Sequence, residues 1–257
     1  MHLLTPQWPT PTPVRAACST RWGGVSLAPY DSLNLGSHVG DHPDAVTENR
    51  RRWAQAVGVR PVFLNQVHGQ QVMPIDLQTP DGLEADACMT TTAGVACTVM
   101  VADCLPVLLC RTDGIQVAAA HAGWRGLAGA GGHGVLEATV EAFGAGLPTH
   151  SLMAWLGPCI GPQAFEVGPE VRQVFMQVDA ACHGYFEPLA TGKFLADLAG
   201  LARWRLVRLG VTQIYGNDSS EAWCTLGNPS RFFSYRRDRA QRGGSGRFAA
   251  SIWRVEG

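Results

Sequence analysis

Two histidines and one cysteine lie where buried strands are expected to end. His68 follows one apolar run, Cys104 follows the run 95–102, and His121 follows the run 115–120. Imidazole nitrogens and a thiolate are ligands that zinc prefers, and a set of three leaves a fourth position open to water. The wide gaps along the chain exclude a zinc finger, whose paired ligands lie close in sequence, and favour an enzyme site where strand ends converge. The residues alone leave a second interpretation open, in which Cys104 is a buried thiol and the histidines lie apart from it.

Three polar residues accompany these candidate ligands. Asp103 adjoins Cys104 and is a candidate for a catalytic proton carrier, for a partner that orients a ligand, or for an aspartate that caps the strand end. Asn65 and Gln66 interrupt the apolar pattern that leads to His68. Two amides in an otherwise apolar run indicate a polar site, so we expect both to contact a substrate.

Two arginines are candidates for holding an anion. Arg21 lies in a glycine loop, 20–26, whose backbone N–H groups and Ser26 hydroxyl could bind phosphate. Arg125 lies four residues after His121 and could fork two hydrogen bonds onto the same kind of anion. Both segments are also typical of ordinary turns, and the glycine loop lacks the lysine of a P-loop.

Hydrophobic patterns predict a mixed order of strands and helices around these residues. The predicted helices are 43–57, 127–143, 169–178 and 195–209. The predicted strands are 14–20, 62–69, 85–90, 95–102, 107–110, 115–120, 153–156, 211–215, 231–235 and 248–253. Because hairpins and helices are mixed and no repeat or long linker occurs, we expect a single α+β domain.

Composition excludes several classes of protein. The 257 residues carry a formal net charge of −1, so no broad electrostatic field favours nucleic acid or an anionic membrane. With 46% hydrophobic and 16% charged residues, the chain has the composition of a globular protein. No apolar run is long enough for a transmembrane helix, and the N-terminus lacks a signal-peptide pattern. The eight cysteines form no dense framework, so we expect a reduced, cytoplasmic protein. We also expect a monomer or a weak oligomer.

Six motifs together resemble one known family, the YfiH-type proteins. These are also called polyphenol oxidases, laccase-domain proteins or peptidoglycan editing factors. The motifs occur in order over nearly the whole chain, in the segments 20–26, 65–69, 102–106, 121–126, 157–161 and 233–238. One departure is the segment 239–246, which is longer than the family's usual turn before the final strand.

The resemblance implies one YfiH-type domain over residues 1–257, with layered helices and mixed sheets similar to the catalytic domain of cytotoxic necrotising factor. It implies zinc bound by His68, Cys104 and His121, with copper less expected. It also implies purine nucleoside phosphorylase activity on small-molecule substrates, purine nucleosides and phosphate, with adenosine deaminase and methylthioadenosine phosphorylase activities in the same site. Combined with the residue patterns, it predicts Cys104, Asp103 and Arg21 as catalytic and Arg125, Ser26, Asn65 and Gln66 as substrate-binding.

Three other functions fit part of the pattern. A copper oxidase could use two histidines and a cysteine, but a laccase-type cluster needs His-x-His pairs, and the eight histidines include none. His38 and His42, four residues apart, lie beside Gly40 and Pro43, which favours a loop. A cysteine hydrolase that edits peptidoglycan precursors would use a cysteine nucleophile and a histidine base. A zinc-stabilised binding protein without turnover is the third alternative, and the open ligand set favours an enzyme over it.

Overall fold

The computed structural model describes residues 3–256, in which strands and helices alternate. The strands, numbered in chain order, are β1 (Leu3–Leu4), β2 (Val14–Ser19), β3 (Arg60–Phe63), β4 (Val72–Pro74), β5 (Ala87–Thr90), β6 (Val95–Val101), β7 (Leu105–Arg111), β8 (Val117–Ala122), β9 (Leu152–Leu156), β10 (Glu166–Val167), β11 (Phe186–Pro188), β12 (Phe194–Ala196), β13 (Gln213–Gly216) and β14 (Phe248–Arg254). The α-helices are α1 (Pro43–Val57), α2 (Trp124–Ala128), α3 (Val135–Ala142), α4 (Pro169–Val178), α5 (Leu198–Arg208) and α6 (Tyr235–Arg242).

Two large mixed sheets form the centre of the fold. One has the order β1-β2-β14-β6-β3, and the other has the order β13-β9-β7-β8-β5-β4. A small antiparallel sheet, β10-β12-β11, lies apart from them. Parallel pairs such as β3 with β6 occur beside antiparallel pairs such as β7 with β8. This mixture confirms the expected single-domain α+β class.

Side-chain alternation along the strands creates the cores between layers. On β6, Cys97 and Val99 pack between the two large sheets, whereas Ala96 and Met100 face the core shared with α1. The outer face of the six-stranded sheet is covered by α3, α4 and α5. The order of layers is therefore helix, sheet, sheet, helix. Because successive side chains of a strand point to opposite faces, each large sheet packs against the other sheet on one face and against helices on the other. None of the helices in residues 3–256 is long and apolar enough to cross a membrane.

Helix α1 agrees with its sequence prediction at both ends. Pro43 occupies the first turn, and the chain leaves the helix at Gly58 in the left-handed conformation, with φ of 72°. The predicted apolar spacing is also confirmed, because Trp53 is buried on the inner face. Helix α4 likewise has the predicted bounds.

The predicted helix 127–143 is wrong in its middle. The structure has α2 and α3 there, separated by the segment 129–134. Gly129 has φ of 64°, a conformation that other residues rarely adopt, and it starts the break. The Arg205 guanidinium donates to a carbonyl in this segment and pairs with Glu137 of α3 at 2.9 Å, which holds the interruption in place.

The predicted strand 231–235 is wrong. Phe232 and Phe233 are buried and imitate a strand pattern, but they belong to an irregular segment. The Ser234 hydroxyl then accepts a hydrogen bond from the Arg237 N–H at 3.3 Å, which caps α6. A helix therefore begins where the apolar pattern predicted the end of a strand.

Two other boundaries differ from the predictions. The predicted helix 195–209 begins later, because the Asp197 carboxylate accepts from the Gly200 N–H at 2.8 Å and caps α5, while the residues before it form β12. The predicted strand 62–69 ends at Phe63, and an irregular segment continues to His68. The remaining predicted strands agree with the structure to within two residues at each end.

Candidate active site

The three candidate ligands converge in space. Cys104 immediately precedes β7, His121 lies near the end of β8, and β7 pairs with β8 so that Pro106 faces His121. His68 reaches the same point from the irregular segment after β3. One ligand atom from each side chain lies within 4.8 Å of the others, and Cys104 Sγ is 3.7 Å from His68 Nε2. The convergence agrees with the prediction, except that His121 lies within its strand and not after it.

Asp86 positions two of these ligands, and the sequence analysis missed it. Its fully buried carboxylate accepts a hydrogen bond from His121 Nδ1 at 2.8 Å, which leaves His121 Nε2 free to bind a ligand. The same carboxylate accepts the backbone N–H groups of Val67, His68 and Gly69 at 2.6–3.1 Å. These bonds hold His68 at φ of 63°, a conformation unusual for a non-glycine residue. The available sequence signal was an acid directly before the apolar strand β5.

Electrostatics favour a thiolate at this point. Burial raises the pKa of the Cys104 thiol, but the charge and hydrogen bond of His121 and the contact with His68 outweigh it and lower that pKa to about 6. Burial opposes the charged form of His121, whereas the Cys104 thiolate and Asp86 raise the pKa of His121 to about 9. Cys104 is thus held as a good metal ligand or a good nucleophile.

One distance in this group matches the spacing expected in a tetrahedral metal site. Zinc bonded to one sulfur and one imidazole nitrogen sets those atoms about 3.6 Å apart, close to the 3.7 Å between Cys104 Sγ and His68 Nε2. Gly123 keeps the site open, because a Cβ there would lie 2.9 Å from Cys104 Sγ and 2.9 Å from His68 Cδ2. The donor set and the space around it can therefore hold a metal ion.

The three ligands lie on the wall of a cavity of about 900 Å³. This volume is in the range of pockets that bind small molecules. One part of the wall is apolar and aromatic, and another part is rich in arginine. The lining residues are His38, Gln66, His68, Met100, Val101, Ala102, Asp103, Cys104, His121, Trp124, Ile160, Phe165, Leu198, Tyr235, Arg236, Arg239, Ala240 and Arg247.

One family of known proteins matches nearly the whole chain. The family model described as multi-copper polyphenol oxidoreductase laccase matches residues 15–255. The chain belongs to this laccase-like family. It is 51% identical to a protein of Pseudomonas aeruginosa named purine nucleoside phosphorylase, with 97% of each chain covered. It is also 51% identical to the protein of Escherichia coli K12 named purine nucleoside phosphorylase YfiH, with 98% of this chain and 99% of that protein covered.

Solved structures agree with this assignment. The crystal structure of a Neisseria meningitidis protein of the DUF152 family has a TM-score of 0.90 at 46% identity, with 100% of both chains covered. YlmD from Geobacillus stearothermophilus has a TM-score of 0.83 at 29% identity, with 95% of this chain and 93% of that one covered. The resemblance of the sequence to the YfiH-type, laccase-like family is therefore confirmed.

In this laccase-like chain, two of the three polar residues predicted next to the ligands line the cavity, and one does not. Gln66 lines the cavity, but its amide is bonded to the backbone N–H and C=O of Met100, each at 2.8 Å, so it shapes the wall. Asn65 is exposed and does not line the cavity. Asp103 lines it, and its carboxylate accepts from the Thr225 hydroxyl at 2.6 Å and from the Arg236 N–H at 2.9 Å.

The predicted anion loop does not reach the cavity. Arg21 is 4% exposed, and its guanidinium donates to two main-chain carbonyls and to the Asp31 carboxylate. The Ser26 hydroxyl donates to Asp41, and the N–H groups of Gly23 and Gly24 donate to the hydroxyl of one serine. We correct the expectation that Arg21 and Ser26 contact phosphate, because their donors are already bonded inside the protein.

Arg125 does not line the cavity either. It is exposed, and its guanidinium lies 4.4 Å from the ring centroid of Trp124. Trp124 itself lines the cavity, so Arg125 lies behind an aromatic wall residue. The expected direct contact of Arg125 with substrate is therefore not supported by its position, which is behind Trp124.

Several cavity residues were missed by the sequence analysis. His38 was assigned to a loop without a function, yet it lines the cavity, where burial and the charge of Arg247 lower the pKa of its ring. Arg236 and Arg239 were hidden by the wrong strand prediction, which left α6 unrecognised. The density of arginines in 236–247 was the available signal.

Proposed function

We propose that the protein is a zinc-dependent purine nucleoside phosphorylase that also deaminates adenosine and cleaves methylthioadenosine. One observation carries the proposal: a cavity large enough for a nucleoside has His68, Cys104 and His121 together on its wall. The names of the Pseudomonas and Escherichia relatives support the phosphorylase part of this proposal. The eight cysteines are all free, which is consistent with a reduced, cytoplasmic location.

His68, Cys104 and His121 would hold the zinc, with the Asp86 carboxylate fixing the orientation of His121. Zinc held there would supply Lewis-acid chemistry, including activation of a water molecule. Phosphorolysis breaks the bond between ribose C1′ and purine N9, whereas deamination replaces the amino group at C6. A single cavity serves both reactions if the nucleoside binds next to the ligand group with a different end towards it in each.

The apolar part of the wall suits the purine ring. Trp124 and Phe165 offer aromatic surfaces, and Met100 and Ile160 add apolar contacts. Flat heteroaromatic rings are commonly bound between such side chains. Asp103 has both carboxylate oxygens bonded within the protein, so we assign it a positioning role next to Cys104 and no proton transfer.

The test combines metal analysis of the purified protein with an assay of hypoxanthine release from inosine. We expect about one zinc per chain and release that depends on added phosphate. Cys104→Ala is expected to lose both metal and activity, whereas Cys182→Ala, whose side chain lies outside the cavity lining, is the matched control and keeps both. Bound copper with oxidation of phenols, or bound zinc without phosphate-dependent release, would contradict the proposal.

A cysteine hydrolase is the second candidate, and one observation favours it. Without metal, Cys104, His121 and Asp86 form a row in which the acid orients the histidine and the histidine stabilises the thiolate. This is the arrangement of a nucleophile, a base and an orienting group. Rapid alkylation of Cys104 in the metal-loaded enzyme, together with a covalent acyl intermediate, would support this candidate over the phosphorylase.

A further inference from the structure

Three arginines line the cavity next to the candidate metal ligands. Arg236 and Arg239 belong to α6, and Arg247 directly precedes β14. Within residues 3–256, no carboxylate lies close enough to form an ion pair with any of them. We propose that these three side chains form an anion subsite that binds inorganic phosphate as the second substrate. This inference rests on the proposed phosphorylase function and names the residues that hold its phosphate.

Each of the three guanidinium groups keeps most of its hydrogen-bonding capacity. In each, only Nη1 donates to the described part of the protein, while Nε and Nη2 have no acceptor there. The acceptors of Nη1 are the carbonyls of Ala164 and Glu166 for Arg236, the hydroxyl of Tyr235 for Arg239, and the carbonyls of Ser245 and Gly246 for Arg247. One anchored nitrogen restrains each group, and the remaining N–H donors stay available to an anion in the cavity.

Neighbouring arginines on the same helix behave differently. Arg237 donates to Asp238 at 2.8 Å, and Arg242 pairs with Asp31. Neither lines the cavity. The spacing of Arg236 and Arg239, three residues apart, puts them on one helix face. The helix therefore separates its arginines into neutralised ones outside the cavity and unpaired ones on its wall.

The subsite lies beside the metal-ligand group. The main-chain N–H of Arg236 donates to the Asp103 carboxylate at 2.9 Å, and Asp103 directly precedes Cys104. The Arg247 guanidinium is close enough to both Cys104 and Asp103 for their negative charges to act on it, although burial is the larger influence and lowers its pKa. Phosphate held here would lie next to a nucleoside bound at the ligand group.

Phosphate fits the charge and geometry of this wall. Three positive charges face one carboxylate and one thiolate, so the wall keeps an excess of positive charge. A tetrahedral dianion presents four oxygens and can accept from several forks at once, which a carboxylate with two oxygens does less well. The phosphate of a nucleoside monophosphate has the same chemistry, so the test includes it.

The experiment measures inorganic phosphate binding to the metal-loaded protein by calorimetry, alongside the KM for phosphate in inosine cleavage. The primary variant is Arg239→Gln, because this side chain is exposed and its loss leaves the core intact. Removal of one charge-assisted fork is expected to raise both the dissociation constant and the KM for phosphate roughly tenfold or more. Arg236→Gln is expected to have the same direction of effect.

Arg242→Gln is the matched control, because it removes the same charge from the same helix at a position outside the cavity. It is expected to change neither quantity. Failure of the wild-type protein to bind phosphate would overturn the subsite. So would equal weakening in Arg239→Gln and Arg242→Gln, since it would reflect only the overall charge of the helix.

Adenosine monophosphate distinguishes the two sources of the anion. If it binds through Arg239 while inorganic phosphate does not bind, the subsite recognises a nucleotide and the assignment is wrong. Binding data also separate this inference from the proposed function. Phosphate that binds through the arginines of an enzyme that does not cleave inosine would support the subsite and refute the phosphorylase. Phosphate-dependent cleavage of inosine with an unchanged KM for phosphate in Arg239→Gln would support the phosphorylase and refute the subsite.

Discussion

The glycine loop around Arg21 and the helix α6 both contain arginine, but the hydrogen bonding of their guanidinium groups differs. Arg21 donates through Nε, Nη1 and Nη2 to acceptors of the protein, and the loop's glycine N–H groups donate to Ser32. On α6, Arg239 donates only through Nη1 to the residues that the structure describes. The loop has one arginine and the helix has four, but only the helix retains arginine donors for a ligand. The residue type shows which donors a side chain has, whereas its hydrogen-bond partners in the fold determine whether those donors can still bind a ligand.

The two regions also differ in the state of their cysteines. Cys18 lies on β2, which leads into the glycine loop, and burial raises the pKa of its thiol far above the usual range. Cys104, beside α6, has its pKa lowered to about 6, because the histidine contacts outweigh burial. The first region holds a neutral thiol and an arginine whose donors are bonded inside the protein, and the second holds a thiolate and unpaired arginines next to a cavity.

The largest expected effect is the difference in thiol reactivity in metal-free protein. Iodoacetamide reacts with the thiolate, so Cys104 should be alkylated at neutral pH faster than Cys18 by on the order of a thousandfold. Because the thiolate is present above the pKa and lost below it, the rate should fall as the pH drops through about 6. Peptide mass spectrometry measures both sites. A midpoint near the ordinary thiol value would contradict the proposed electrostatics, and zinc loading is the control that should protect Cys104.

The next effect is on stability. Arg21→Gln removes a buried guanidinium with three bonded nitrogens, so the free energy of unfolding should fall by roughly 2–4 kcal/mol. Urea denaturation measures this change. The folded enzyme should keep its KM for phosphate, since Arg21 does not line the cavity. An unchanged free energy of unfolding with a raised KM for phosphate would show that Arg21 binds the anion, and would contradict the contrast between the glycine loop and α6.

The sequence predicted most of what depends on local pattern. Helix α1 and most strands of the two large sheets follow from apolar spacing, although β1 and β4 were not predicted and the predicted strand 62–69 ends at Phe63. The convergence of His68, Cys104 and His121 was also predicted. The arginines of the cavity wall were not predicted, because the sequence does not show which arginines have acceptors inside the protein. Arg21, for example, donates to the carbonyl of Pro229, which lies 208 residues away. Asp86 was missed for the same reason, since its partners come from other elements. No local pattern carries that pairing.

A smaller effect is expected from loosening the link between α6 and the ligand group. Asp103→Asn keeps the shape but weakens acceptance from the Arg236 N–H, so the KM for phosphate should rise by about tenfold or less. Metal content should stay unchanged, which separates positioning from ligation. Thr225→Val removes only a neutral donor to Asp103 and should have about a threefold effect in the same direction. Loss of metal in Asp103→Asn would contradict the assigned role.

The smallest effect is expected at Arg125. Its guanidinium lies 4.4 Å from the ring centroid of Trp124, and Trp124 lines the cavity. We therefore expect Arg125 to affect the substrate only through the Trp124 ring. A cation–π contact at an exposed site contributes about 0.5–1 kcal/mol, which corresponds to no more than about a fivefold change in KM. Because the ring faces the apolar wall proposed for the purine, Arg125→Ala should raise the KM for inosine and leave the KM for phosphate unchanged. A rise in the KM for phosphate as large as that of Arg239→Gln would move the anion subsite toward Trp124, and the division between the two regions would then have to include Arg125.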